Sequence, residues 1–303
     1  MRGRILTGSN NIYTVETEAG IALCRIKGKI LRDGQDSYNP LAPGDFVSID
    51  AASGEGRILS REERKNRFAR WNKKKQAPQT VAANIDTVVC VTSVQTPPFR
   101  PRFVDRVLVT CEHEGIEPAI VVNKSDLAAD SETADRIANY RDMGYIVFPC
   151  SALTGDGIDS LSVWLNGKTA VFIGQSGVGK SSVLNAIAPS LKRKTGMLSR
   201  KYDRGAHTTS ISELIVIGGT GYIDTPGVRE FDIFDIPSRE LALYFRDMAA
   251  AGMECQLRNC LHVDEPGCRV RENALAGRIN PDRYESYLRL LDDLVRSERN
   301  RYG

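Results

Sequence analysis

The stretch Gly174-Gln175-Ser176-Gly177-Val178-Gly179-Lys180-Ser181-Ser182 follows the apolar Val171-Phe172-Ile173 and precedes a helix-like run at 183–188. Glycines at this spacing let successive backbone N–H groups curl around phosphate oxygens, and the start of the following helix adds partial positive charge. In that frame the Lys180 ammonium reaches the β- and γ-phosphates and the Ser181 hydroxyl ligates Mg²⁺. A glycine-rich turn before an ordinary helix is the plain alternative, and the full GxxxxGK[ST] spacing in strand–loop–helix context argues against it. Further on, Asp224-Thr225-Pro226-Gly227 closes the apolar Gly221-Tyr222-Ile223. A carboxylate at a strand end suits a place behind Mg²⁺, with the Gly227 amide near the γ-phosphate.

A second motif, Asn123-Lys124-Ser125-Asp126, ends the apolar Ile120-Val121-Val122. The Asp126 carboxylate can accept from both N1–H and the 2-amino group of guanine, which adenine cannot offer. Asn123 can reach the base edge and fix the loop, and the Lys124 stem can lie over the purine face. A polar site that loses these partners discriminates strongly, because its buried groups go unpaired. Ser151-Ala152-Leu153 fits a backbone contact to the guanine oxygen. NKxD alone has an appreciable chance frequency, but its strand-end placement together with SAL points to a GTP/GDP site.

These loops need a scaffold. From 81 to 235 short apolar strands (88–91, 118–122, 145–148, 169–173) alternate with helical patterns (103–113, 132–142, 159–165), which predicts a mostly parallel sheet with helices on its faces. Residues 1–68 read instead as about five short strands between turn signals, among them Ile12–Thr17, 21–26, Phe46–Asp50 and 56–59. That is the size of a small β-barrel such as an OB-fold, and an SH3-like barrel would give much the same pattern. Residues 236–303 read as mainly helical, with the last helix starting at Asn280-Pro281.

A third group of chemistry-bearing residues lies in this last part. Cys255, Cys260, His262 and Cys268 supply Cys₃His, a closed ligand set for one structural Zn²⁺, with no position left for a reacting water. Three buried cysteines beside a surface histidine is the plain alternative. Cys24, Cys90, Cys111 and Cys150 sit among apolar neighbours and read as small buried hydrophobes.

The composition, 41% hydrophobic and 26% charged with net charge +3, is that of a folded water-soluble chain. No run approaches the roughly 20 apolar residues that cross a bilayer, and the amino terminus lacks the apolar stretch of a signal peptide. A cytoplasmic monomer with no membrane partner is expected. The charge is uneven, for eight of the fifteen residues 61–75 are Lys or Arg. Such a run suits a polyanion or is a solvated linker, and by itself does not decide between them.

The motif order is unusual. In an ordinary small GTPase the phosphate loop comes first and the base-reading NKxD later. Here NKSD and SAL precede the phosphate loop, and DTPG comes last. A circular permutation gives the same sheet, with the old termini joined near Asn166-Gly167-Lys168. The segment after DTPG then runs directly into the Cys/His-bearing region, so nucleotide state is placed to control how that region sits.

With this order the chain resembles the circularly permuted GTPases of the RsgA (YjeQ) family, dependent on the small ribosomal subunit. The resemblance spans the amino-terminal barrel, the basic connection, NKSD, CSAL, GQSGVGKSS, GAHTTS, DTPG and the carboxy-terminal C…C-x-H…EPGC. It implies a three-part multidomain chain. Residues 1–68 are an OB-fold β-barrel, 69–80 a basic linker, 81–235 a circularly permuted α/β P-loop GTPase domain and 236–303 a helical zinc-binding domain. It also implies binding to the 30S subunit and its 16S rRNA late in assembly, with hydrolysis stimulated there and followed by release.

The basic segment 191–210 ends in His207-Thr208-Thr209. A threonine here should close over Mg²⁺ when GTP is bound, Thr209 being the choice and Thr208 the alternative. The water-orienting Gln usual after the DxxG glycine is absent, with Val228 in its place. His207 resembles the histidine the family carries beside these threonines and is the candidate for that role, alongside Lys180 and Thr209 as catalytic residues. Slow intrinsic turnover follows. Two other readings are an RNA-docking module with GTP as a structural ligand, and a permuted GTPase of the large subunit.

Overall fold

The computed structural model describes residues 1–9, 11–26, 39–50, 56–190, 212–225 and 231–302. The expectations placed on His207, Thr208, Thr209 and Gly227 lie outside the described residues.

Strands β1 (Arg2–Ser9), β2 (Ile12–Thr17) and β3 (Gly20–Ile26) form an antiparallel meander. Then β4 (Phe46–Asp50) returns antiparallel to β1, and β5 (Gly56–Arg61) pairs antiparallel with β4 and parallel with β3. The order β1-β2-β3-β5-β4 closes into a barrel, the five-stranded Greek-key arrangement of an OB-fold. Period-two alternation turns Ile5, Val15, Cys24, Val47, Ile49 and Ile58 into its interior, none more than 1% exposed. The sequence pattern concealed β1, because Arg2 and Arg4 face outward and lay their guanidinium groups over the Phe46 ring, at 4.1 and 5.5 Å.

Residues 69–80, expected as a basic linker, belong instead to an antiparallel ribbon of β6 (Arg67–Asn72) and β7 (Ala77–Ala83). Phe68 stacks on Phe231 at 5.2 Å, and the Trp71 N–H donates to the Asp232 carbonyl at 3.2 Å. Part of the basic run is engaged by acidic partners, with Arg64, Arg67 and Arg70 half-buried and Arg61, Lys65, Lys73, Lys74 and Lys75 exposed. Arg64 grips Asp45 through two 2.7 Å bonds, Arg67 pairs with Glu114 and Asp235, and Lys73 pairs with Asp232. Gly44, at φ +94°, lets the barrel meet the end of β7, since a Cβ there would lie 2.0 Å from the Ala83 oxygen.

The central sheet has the order β10-β9-β8-β11-β13-β12, comprising β8 (Thr87–Ser93), β9 (Glu117–Asn123), β10 (Ile146–Pro149), β11 (Thr169–Gly174), β12 (Glu213–Ile217) and β13 (Thr220–Asp224). All pairs are parallel except β12 with β13 at the edge. Every residue of β8 is buried, as expected of a strand covered on both faces. Helices α3 (Ile158–Leu165) and α4 (Lys180–Ile187) cover one face, with Leu161, Leu165, Val183 and Leu184 in its core. On the other lie α1 (Pro101–Glu114) and α2 (Ser131–Asp142). The turn Asn166-Gly167-Lys168 joins α3 to β11, with the Gly167 N–H donating to Thr220 Oγ1 at 3.0 Å.

A 3₁₀ turn (Ser238–Tyr244) leads into α5 (Arg246–Met253), α6 (Arg269–Leu275) and α7 (Pro281–Tyr302). Pro281 opens α7 as expected, and the Asn280 carboxamide accepts from the backbone of Asp282 and Arg283. Phe245, Met248, Tyr287, Leu290 and Leu294 share one core with Val104 and Leu108 of α1, so these helices and the central sheet are packed as one body. The barrel keeps a core of its own. Cys24, Cys90, Cys111 and Cys150 are all buried, and burial pushes the Cys150 thiol up to about 11.

Candidate nucleotide site and metal centre

Parallel strands deliver their following loops to one edge of a sheet, and ligands of open α/β sheets collect there. Gly174 pairs with Val91, Asn123 with Ser93 and Asp224 with Phe172, so the loops after β11, β9 and β13 start at the same level. The SAL loop after β10 starts beside them.

Asn123 joins three of these segments. Its Nδ2 donates to the Val178 carbonyl of the glycine loop at 2.8 Å, and its Oδ1 accepts from the Ala152 N–H at 3.0 Å. The side chain is 2% exposed and has both ends engaged, which fixes the NKSD and SAL loops against the glycine loop. Gly179 makes this approach feasible. It sits at φ +88°, and a Cβ there would lie 2.2 Å from Asn123 Nδ2. Lys124 reaches from the other side, its Nζ donating to the Thr96 carbonyl and to the Gly177 carbonyl at 3.1 Å.

The Ser151 hydroxyl donates to Asp126 Oδ1 at 2.5 Å, and the Ser125 N–H donates to the Cys150 carbonyl at 3.0 Å. One oxygen of the exposed Asp126 carboxylate is thereby held by a buried serine, and the group is aimed outward. Leu153 contributes no packing there, its side chain being 85% exposed. At the end of the glycine loop Lys180 is buried at the start of α4, and its Nζ pairs with Asp224 Oδ1. Thr225 holds the end of β13 by donating to the Phe172 carbonyl at 2.7 Å. Gln175 is half-buried, whereas Ser176, Gly177, Ser181 and Ser182 are exposed at the lip. Gly174 and Val178 are buried beneath it.

Sequence reasoning missed the loop 95–98. The Thr96 carbonyl anchors Lys124, and Gln95 Nε2 donates to the Ala128 carbonyl at 2.5 Å, bracing the NKSD loop from outside. A backbone carbonyl leaves no signature in residue type, and Thr96-Pro97-Pro98 reads only as a bend.

Cys255, Cys260, His262 and Cys268 converge, their four donor atoms all lying within 4.8 Å of one another. The Sγ atoms of Cys255 and Cys268 are each 3.5 Å from His262 Nδ1. A tetrahedron with bonds of about 2.1–2.3 Å has donor–donor edges of roughly 3.5–3.8 Å, so the set fits zinc in spacing as in donor type. Without a cation this packing opposes charge. Burial pushes the Cys260 thiol up to about 12, raises Cys268 and holds His262 below its ordinary value. The knot is tied to α7, since the Tyr284 and Tyr287 hydroxyls donate to the carbonyls of His262 (2.6 Å) and Leu261 (2.8 Å). The Glu265 carboxylate accepts from the Leu261 and Val263 N–H groups.

The RsgA GTPase family profile matches residues 61–234. The chain is also 38% identical to the "Small ribosomal subunit biogenesis GTPase RsgA" of Caldanaerobacter subterraneus, over 100% of this chain and 98% of the relative. The chain belongs to the RsgA GTPase family. The crystal structure of YjeQ from Thermotoga maritima superposes with a TM-score of 0.74 at 32% identity, covering 97% of this chain and 98% of that one. That of YloQ, described as a circularly permuted GTPase, gives 0.71 at 31% identity over 98% and 95%. This RsgA-family chain thus shares with them a barrel, a permuted GTPase sheet and a helical region. Among its described residues no helix is long and apolar enough to cross a membrane.

Proposed function

We propose that this chain is a cytoplasmic, monomeric GTPase that binds the 30S ribosomal subunit through its 16S rRNA and assists its late maturation. Hydrolysis is stimulated by the subunit and coupled to release. The observation that carries this reading is the similarity over the whole length to relatives named for small-subunit biogenesis. The bridging of Asn123 between the glycine loop and the SAL loop supports its chemistry.

In this reading Asp126, oriented by Ser151, accepts from guanine N1–H and the 2-amino group, and the Ala152 region meets the guanine oxygen. Lys124, anchored to the carbonyls of Thr96 and Gly177, spans the purine face. The glycine-loop amides and Lys180 receive the phosphates, and the paired Lys180 and Asp224 exchange partners when a phosphate and its cation enter between them. Ser181 and Thr209 would hold Mg²⁺, with Asp224 behind it, and the ion would supply charge neutralisation at the β- and γ-phosphates. Gly227 donates towards the γ-phosphate, and His207 orients the attacking water in place of the glutamine whose usual position Val228 occupies. The Cys255, Cys260, His262 and Cys268 set holds one structural Zn²⁺ that stabilises the fold around α7.

The deciding experiment is GTP hydrolysis by the purified protein, alone and with 30S, 50S or 70S particles, with co-sedimentation on the same samples. Slow intrinsic turnover, strong stimulation and GTP-dependent sedimentation with 30S alone are expected. Stimulation confined to 50S would move the target, and binding without stimulation would make the nucleotide a structural ligand.

A further inference from the structure

A cavity of about 770 Å³ lies outside the nucleotide site, between the β6–β7 ribbon, the start of α1 and the middle of α7. Three half-buried rings, Trp71, Phe99 and Phe234, line it above a floor made by Phe103 and Phe231. Its polar lining sets Lys73, Arg100, Arg102 and Arg106 against Asp232, Asp282 and Asp293. Arg106 is spent internally, on Asp293 at 2.6 Å and on Asp232. Among the described residues Arg102 pairs with the half-exposed Glu285, at 3.2 Å, where solvent screens the attraction. Arg100 is exposed, and its guanidinium makes no hydrogen bond or ion pair among the described residues.

We propose that this cavity takes one unpaired nucleotide of RNA, its base against Trp71 and Phe99 and its phosphate on Arg100 and Arg102.

Aromatic faces beside the unengaged Arg100 and the solvent-screened Arg102 are what a nucleotide uses, since every base has a π-face and every linkage a negative charge. An acidic peptide would use the arginines and leave the rings idle. A purely apolar ligand would leave Arg100 and Arg102 without a role. The cavity also borders Gln175 of the glycine loop and the stretch 231–234 that follows the DTPG loop. An inserted nucleotide therefore touches both the phosphate loop and the segment leaving the γ-phosphate side, which gives an RNA partner a route to faster hydrolysis. The inference rests on the proposed small-subunit function for the identity of that RNA, and on the cavity alone for its chemistry.

Two variants and one optical probe test it. Phe99→Leu removes the ring but keeps an apolar side chain against the core that Phe99 borders, and Arg100→Glu reverses an exposed charge; thermal midpoints close to the parent's check that both variants stay folded. Trp164→Phe leaves Trp71 as the single tryptophan. In that background a single-stranded oligonucleotide, hexauridylate, should quench Trp71 fluorescence in a salt-dependent manner, with affinity reduced roughly tenfold or more by Phe99→Leu or Arg100→Glu. Uridine monophosphate should need far higher concentrations, and equal affinity for it would overturn the claim for RNA in favour of a free nucleotide. With 30S subunits both variants should keep intrinsic hydrolysis and lose most of the stimulation. Ultraviolet crosslinking to those subunits should yield RNA-bearing peptides containing Phe99 or Trp71. Unchanged quenching and stimulation in both variants would overturn the proposal while leaving the 30S function intact. Lost stimulation with no quenching and no crosslink would overturn it in favour of a protein contact. Quenching by RNA in a protein that 30S neither binds nor stimulates would keep the cavity and defeat the proposed function instead.

Discussion

Arg283 Nη1 and Asp105 Oδ1 meet at 2.5 Å, with neither side chain exposed to water. Asp105 also accepts from Arg136 Nη2 and from the Tyr140 hydroxyl, each at 2.7 Å, while Arg283 Nε lies 3.0 Å from both oxygens of Asp247. Burial opposes the Arg283 charge, and Asp105 and Asp247 outweigh it, so the guanidinium stays above its ordinary value. The cluster ties α1 and α2 to α5 and α7 beside their shared core.

Asp105→Asn should therefore be costly. It leaves two buried guanidinium groups facing a neutral amide, and breaking one side of a buried ion pair costs about 3–5 kcal/mol. Arg289→Ala, which removes an exposed i,i+4 pair with Glu285, should cost at most about 0.5 kcal/mol. Urea denaturation of the two variants measures the contrast. Equal midpoints would show that the buried cluster carries no net stability.

Gly179→Ala should damage the nucleotide site more than its size suggests. A left-handed alanine costs about 1 kcal/mol in backbone strain, and its Cβ displaces Asn123 from the Val178 carbonyl. Affinity for a fluorescent GDP analogue is expected to fall at least roughly tenfold, because both halves of the site lose their common anchor. A variant that binds like the parent would show that Asn123 does not hold the loops together.

Asp126→Asn should turn preference from GTP towards xanthosine triphosphate, since the amide offers a donor where guanine also has one. Ser151→Ala should weaken guanine nucleotides by roughly tenfold without changing that preference, because it removes the bond that aims the carboxylate but keeps its charge. Competition titrations with the two triphosphates separate these effects. Unchanged selectivity in Asp126→Asn would mean that the base is read elsewhere.

Removing the proposed zinc should unfold the region around α6 and α7. Chelation, or Cys268→Ser, would withdraw the cation that the proposed site holds between two half-buried cysteines, the buried Cys268 and the buried His262. Because α7 belongs to the same core as α1, the loss should lower the thermal midpoint of the whole body and not of the knot alone. Circular dichroism during metal removal follows it, and retention of helix and midpoint would argue that the cluster is an ordinary buried group.

The glycine loop, NKSD and the Cys₃His set were legible because each motif encodes its chemistry in side-chain types at short spacing. The parallel strands were legible because they are continuous apolar runs. Two features were not. Strand β1 carries outward arginines lying over Phe46, a cross-strand packing that composition reports as polar. The ribbon at 67–83 has a basic sequence, yet Arg64, Arg67 and Lys73 have partners at Asp45, Glu114, Asp235 and Asp232. Local charge density cannot show where such partners lie.

By itself the sequence determined which groups could meet phosphate, guanine and zinc, and the order in which the chain presents them. Only the tertiary structure decided what binds those groups to each other. Asn123 to Val178, Ser151 to Asp126 and Arg283 to Asp105 join residues 55, 25 and 178 positions apart. Contacts at such separation arise from sheet order and shared cores, and no local pattern of residue types encodes them.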